Sequence, residues 1–139
     1  MKNYNIARRS FLGSTTALAT TALMPKLAFA APNSKFNGVQ LGTITYSYRS
    51  MPSKAEDLLK YITQCGINTI ELMGDPAEQF AGSPGGGDKK ALIKWRTSVS
   101  MDKYKALRKM YNDAGINIHI VKFGDIGNGG MSDEVIEYY

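Results

Sequence analysis

Between residues 39 and 47 apolar and polar residues alternate in a stretch rich in Val, Leu, Ile, Thr and Tyr, the two-residue period of a strand. Met51-Pro52 breaks it. Ser53-Lys54-Ala55-Glu56 has the Ser-x-x-Glu form of a capping box, in which each side chain accepts an orphan N–H of a helix's first turn. The helix expected to follow carries Leu58, Leu59, Ile62 and Cys65 on one face and ends at Gly66, the residue type that most easily takes the left-handed stop. Residues 68–73 then read as a second strand. Further on, Ser100 is placed to cap a helix carrying Tyr104, Leu107, Met110, Tyr111 and Ala114, closed by Gly115 and followed by a strand over 117–123. Ser132-Asp133-Glu134 opens a third helix, with its acids where the helix dipole favours them.

The pattern repeats. Cys65-Gly66-Ile67-Asn68 superimposes on Ala114-Gly115-Ile116-Asn117 at an offset of 49, with Leu58 on Leu107 and Lys60 on Lys109. Strands alternating with helices imply an α/β fold with parallel pairing, as an open doubly wound sheet or a (β/α)8 barrel. A complete barrel needs about 250 residues. The 109 residues after Ala30 match about the first three β/α units, so the expectation is a partial TIM barrel over 39–139, joined by a linker over 31–38.

Composition changes this picture little, since 43% hydrophobic and 21% charged residues are what an ordinary globular domain carries. Charge is more informative. The net +5 suggests a nucleic-acid binder until the charges are placed: four of the 17 basic residues lie in the first thirty, leaving 13 against 12 acidic ones, and no nucleic-acid partner is expected. A single cysteine rules out an intrachain disulfide and all paired-cysteine zinc spacings, and Cys65 is expected to be buried.

The first thirty residues read as an address. Arg8-Arg9-Ser10-Phe11-Leu12 resembles the twin-arginine export motif, an uncharged Ala- and Thr-rich run follows, and Ala28-Phe29-Ala30 offers small residues for cleavage between Ala30 and Ala31. The expected partner is the twin-arginine translocation machinery and the destination the periplasm, with no stable membrane anchor after cleavage. The uncharged run falls well short of the ~20 residues that span a bilayer.

Between the second strand and the second helix, Gly82-Ser83-Pro84-Gly85-Gly86-Gly87 lies in a long connection over 74–90, expected to be a flexible loop. It is not a phosphate loop, because Lys89-Lys90 lacks the Gly-Lys-Ser/Thr order and Pro84 and Asp88 spoil the row of N–H donors.

Residues 39–47, Thr69-Ile70-Glu71-Leu72 and Ala114-Gly115-Ile116, in this order and behind such a leader, resemble the start of the sugar phosphate isomerase/epimerase family with its xylose-isomerase-like barrel. The resemblance implies a sugar substrate, a divalent metal (Mn, Mg, Co or Zn) and proton transfer through an enediolate. The family's metal ligands belong to later strands, so none falls on a residue of this chain, which alone is expected to be inactive. The alternative is an exported, non-catalytic barrel domain that holds a carbohydrate.

Active sites of such barrels lie at the C-terminal strand ends. If Ile70 and Leu72 face the helices, Glu71 turns inward, and the 49-residue offset places Ile120 and Lys122 on that same face. Glu71 is the candidate acid/base and substrate-binding group, Lys122 a candidate for a carbonyl or anionic group, and the two are expected to converge as an ion pair if they do not meet substrate. Tyr46 and Arg49 end the first strand and are further substrate-binding candidates. Trp95, with Tyr46 and Tyr48, is placed to stack on a sugar. The offset aligns His119 with Ile70, toward the helices, and gives it a structural role.

Overall fold

Strand β4 (Thr69–Met73) has Ile70 and Leu72 almost fully buried while Thr69, Glu71 and Met73 remain partly open. Two faces of one sheet follow from that alternation. In the computed structural model, which describes residues 31–124, 126 and 131–139, β4 is the middle of a three-stranded parallel sheet in the order β3-β4-β5, flanked by β3 (Thr43–Ile44) and β5 (Asn117–Lys122). The elements run β1 (Lys35–Phe36), β2 (Val39–Gln40), β3, a 3₁₀ turn (Thr45–Tyr48), α1 (Ala55–Gln64), β4, α2 (Gly74–Ala81), α3 (Lys89–Arg96), α4 (Asp102–Asp113), β5 and α5 (Asp133–Tyr138). This is the α/β class that the alternation predicts, and all of it lies in one unit, Ala31–Tyr139. The twin-arginine motif at Arg8 and Arg9 and the Ala30 side of the cleavage site lie outside the described residues, and among these no helix is long and apolar enough to cross a membrane.

Helices cover one side of the sheet. Ala55, Leu58 and Ile62 of α1, Ala77 of α2, and Leu107 and Tyr111 of α4 close over Ile70 and Leu72, with Ile116 completing the cluster. Tyr111 carries the polar atom of this core and satisfies it by donating to the Ala55 carbonyl at 2.7 Å, which ties α4 to the start of α1. Gly66 and Gly115, equivalent in the repeat, both take left-handed φ (69° and 77°) and end their helices as expected.

Five local expectations give way to the tertiary structure. The strand expected over 39–47 is split: β2 pairs antiparallel with β1 through an Asn37-Gly38 turn with φ of 48° and 84°, the hairpin geometry that Asn-Gly favours. Lys35 and Phe36 of the supposed linker therefore belong to a hairpin, which Gln40 latches to the sheet by donating from Nε2 to Asn68 Oδ1 at 2.7 Å. Gly42 then lets the chain approach β4 so closely that a Cβ there would sit 2.9 Å from the Thr69 carbonyl oxygen. After two residues of β3 the buried Thr45 accepts the Met73 N–H on its Oγ1 at 2.9 Å, and the backbone coils into the 3₁₀ turn.

The capping box does not form, because α1 begins at Ala55 with Lys54 at the N-cap, which leaves Ser53 one residue outside the position from which its hydroxyl reaches the first turn. Cys65 is exposed, since α1 stops at Gln64, and its sulfur lies 3.7 Å from the Tyr48 hydroxyl. The connection over 74–90 is largely helical: α2 follows β4 directly with Pro76 in its first turn, Gly82 stops it at a φ of 94°, and Asp88 caps α3 by accepting the Lys90 and Ala91 N–H groups at 2.9 and 3.1 Å.

Replacing Tyr111 by Phe removes the bond to Ala55 and leaves the ring in place. The expected loss is about 0.5–1.5 kcal/mol in a urea unfolding curve with unchanged slope; an unchanged midpoint would show that this bond does not tie α4 to α1.

Candidate functional site

β4 runs straight into α2 and β5 ends at Lys122, so the C-terminal strand ends open into a cavity of about 730 Å³ between α2, the 83–86 turn and α3. Met73, Gly74, Lys122, Phe123 and Gly124 form its floor, and Ser53, Asp75, Glu78, Gln79, Ser83 and Arg96 contribute polar groups to its walls. Gly74 is required there, because a Cβ at that position would run into the Phe123 ring.

One wall is a buried charge network. The Arg96 guanidinium donates from Nε to Glu78 Oε1 at 2.8 Å and from Nη2 to Oε2 at 3.1 Å, a two-pronged pair with both side chains under 10% exposed. The Tyr138 hydroxyl of α5 donates to the same Oε1 at 2.9 Å and is itself hydrogen-bonded to the Tyr104 hydroxyl of α4. Arg96 also lies over the rings of Tyr138 and Tyr139, at 5.8 and 5.3 Å from their centroids. α3 and α5 thus meet α2 at one carboxylate, and α4 joins the network through the Tyr138 hydroxyl. Among the described residues no buried side-chain nitrogen or oxygen lacks a partner, so this network is fully satisfied and serves as scaffold for the cavity wall.

The predicted site residues are distributed differently from the expectation. Ile70 and Leu72 do face the helices and Glu71 the open side. Lys122, however, stands opposite Met73 in the register and lines the cavity at the strand ends, exposed, whereas Glu71 lies two positions below and lines a second cavity of about 840 Å³ with Thr43, Thr69, Asn117 and Ile120. No salt bridge joins Glu71 to Lys122 among the described residues, because the diagonal offset between adjacent strands keeps the two heads apart. Tyr46 and Arg49 are exposed on the 3₁₀ turn, where the guanidinium sits 4.9 Å above the tyrosine ring, and neither lines either of these cavities. Once the first strand stops at Ile44, their side chains leave the strand-end series.

The aromatic expectation is likewise revised, since Trp95 packs edge-on against Tyr138 and Tyr48 stacks with Tyr61. The sequence reading missed Glu78, Arg96 and Tyr138 altogether. Its available signals were Asp88 before a helix-forming run, Pro76 three residues after a strand end, and a Glu and an Arg on two short amphipathic helices; reading 74–90 as loop hid all three. The chain has no match among protein-family models, curated proteins or solved structures.

Glu78→Gln keeps the shape of the network but leaves the Arg96 charge buried without its counter-ion. A loss of about 3–5 kcal/mol is expected by chemical denaturation; a loss below about 1 kcal/mol would mean that the network contributes no more than an exposed pair. Burial raises the tyrosine hydroxyls, with hydrogen bonds to neighbours adding to it at Tyr138 and Tyr48: Tyr138 goes well above the ordinary range, Tyr48 from 10.0 to about 12, and Tyr104 upward although its bond to Tyr138 pulls the other way. The folded state thus holds these protons more tightly than the unfolded chain, so their contribution is complete below about pH 10 and is lost as pH rises toward 12 and beyond. Unfolding midpoints are expected to fall across that window together with the rise of phenolate absorbance; phenolate appearing at the ordinary tyrosine pKa with no change in midpoint would contradict this.

Proposed function

We propose that residues 39–139 are the opening β/α units of a (β/α)8 barrel of the xylose-isomerase-like type. The whole protein, exported by the twin-arginine route to the periplasm, isomerises or epimerises a sugar or sugar phosphate. The observation that supports this reading best is the parallel order β3-β4-β5 with its helices on one face and an open polar cavity at the C-terminal strand ends. Barrel enzymes do their chemistry at that position.

In this reading Glu71 and Lys122 have separate tasks. Lys122, at the strand-end cavity, holds a carbonyl or an anionic group of the substrate, while Glu71, on the open face of β4, accepts from a substrate hydroxyl or moves a proton. Among the described residues no three His, Cys, Asp or Glu side chains converge, and in this reading the metal ligands come from later strands. The contribution of this chain is binding and proton handling.

Two measurements test the proposal. The coding region after Tyr139 is expected to continue in alternating strands and helices with Glu, Asp and His at strand ends; an alternating continuation with apolar ends would replace the enzyme by a carbohydrate-binding domain, and a non-alternating one would remove the barrel. In the whole protein, Glu71→Gln is expected to lower turnover roughly 10²-fold or more. Because Glu71 has no ion pair to lose, stability should change by no more than about 0.5 kcal/mol. Unchanged turnover would remove Glu71 from the site.

A further inference from the structure

The sequence places Trp95, Tyr46 and Tyr48 to stack on a sugar, yet none of the three lines the strand-end cavity. One aromatic ring stands there in their stead. Of the described residues that line this cavity Phe123 alone is aromatic, and it is only partly buried. The register that sets Lys122 opposite Met73 carries Phe123 alongside Gly74, where the missing Cβ is the room the ring occupies. Tyr139 and Tyr138 hold it edge-on, at centroid distances of 4.8 and 6.2 Å and interplanar angles of 61° and 70°. A ring fixed in this way loses little freedom when a ligand settles on it.

The polar groups around Phe123 fall into two sets. Arg96 and Glu78 satisfy each other in the buried pair, whereas the side chains of Ser53, Asp75, Gln79 and Lys122 are exposed and make no hydrogen bond or ion pair among the described residues. The charges of the lining balance, with the cations Arg96 and Lys122 set against the carboxylates Asp75 and Glu78. The N-terminus of α2, which would otherwise attract an anion, already carries Asp75 in its first turn. A phosphate dianion entering this cavity would give up its water without meeting a surplus of positive charge. Sugar hydroxyls, by contrast, meet both donors and acceptors in the exposed set.

We propose that the strand-end cavity seats an uncharged sugar ring, with the C–H face of the sugar on Phe123 and its hydroxyls on Asp75, Gln79 and Lys122. The faintly positive C–H bonds of a pyranose complement the negative face of an aromatic ring. This rests on the carbohydrate reading above and narrows it: the atom that Lys122 holds is a carbonyl or hydroxyl oxygen and not a phosphate oxygen. Phe123 is a binding residue in this scheme, selecting a ring with an unobstructed C–H face.

The test uses the whole protein and titrates D-glucose and D-xylose, whose pyranose rings carry open C–H faces, by calorimetry, alone and in the presence of inorganic phosphate. At least one sugar is expected to bind, and phosphate is expected not to displace it. Phe123→Leu, checked for folding by circular dichroism, is expected to weaken the sugar about three- to tenfold, and Phe123→Tyr, which keeps the ring, to restore it. A ring with only a structural role would lower the unfolding midpoint of Phe123→Leu without moving the affinity. Gln79→Ala and Asp75→Asn, at exposed positions outside the core, are expected to weaken the sugar about threefold or more, and they decide the matter if Phe123→Leu does not fold. Affinity unchanged in a folded Phe123→Leu or in both polar variants, Phe123→Tyr as weak as Phe123→Leu, or displacement of the sugar by phosphate overturns the seating while leaving the carbohydrate reading intact. Failure of both sugars to bind removes the two together.

Discussion

A parallel strand has no short hairpin to hold it against its neighbour, so β3, β4 and β5 stay in register only because Ile70 and Leu72 are driven into a shared apolar cluster with α1, α2 and α4. Each of those two side chains is fully buried, worth about 1.5–3 kcal/mol against exposure, and a one-residue slip would exchange them for Glu71 and Met73. The burial penalty on Glu71 thus fixes the register as firmly as the gain from Leu72. Once β4 is set, its C-terminal end determines where α2 begins, and α2 delivers Glu78 to the wall of the cavity.

The open face is the other half of that constraint. Residues on it escape the core, and they include Thr69 and Glu71 of β4 and Ile120 of β5, which is 47% exposed. Polar groups are tolerated there because their solvation is not removed. The bulge at His119, the β5 residue with no partner of its own on β4, adds a polar residue at this boundary at small cost, since β5 has a strand neighbour only on its β4 side among the described residues and the unpaired backbone group can turn outward.

The Glu78–Arg96–Tyr138 network performs a different kind of work. Desolvating a carboxylate and a guanidinium consumes most of what their attraction returns, so the pair adds little net stability, yet losing either member would be expensive. Its consequence is positional. Carboxylate and guanidinium meet through two bonds, the Tyr138 hydroxyl of α5 reaches that carboxylate and is itself held by Tyr104 of α4, and the end of α3 is fixed where it bounds the strand-end cavity.

By itself the sequence determined the features that depend on neighbouring residues alone: the α/β alternation, helices α1, α4 and α5, the glycine stops at Gly66 and Gly115, and the facing of Ile70 and Leu72 against Glu71. Periodicity and left-handed turns are local properties, and they were legible residue by residue. Tertiary structure decided the rest. Residues 39–47 have a strand's alternation, but Gly42 and Thr45 draw that stretch against β4 and break it in three. Glycines that read as a flexible loop separate two helices, because Glu78 and Arg96 gain from meeting only after the chain has folded back. Tyr46 and Arg49 left the strand ends, Lys122 separated from Glu71, and His119 came to lie at the exposed sheet edge, each through a register or backbone change that takes two strands to define. A single chain read in order carries no term for the partner strand, and the placement of a site residue at a strand end is set by that partner.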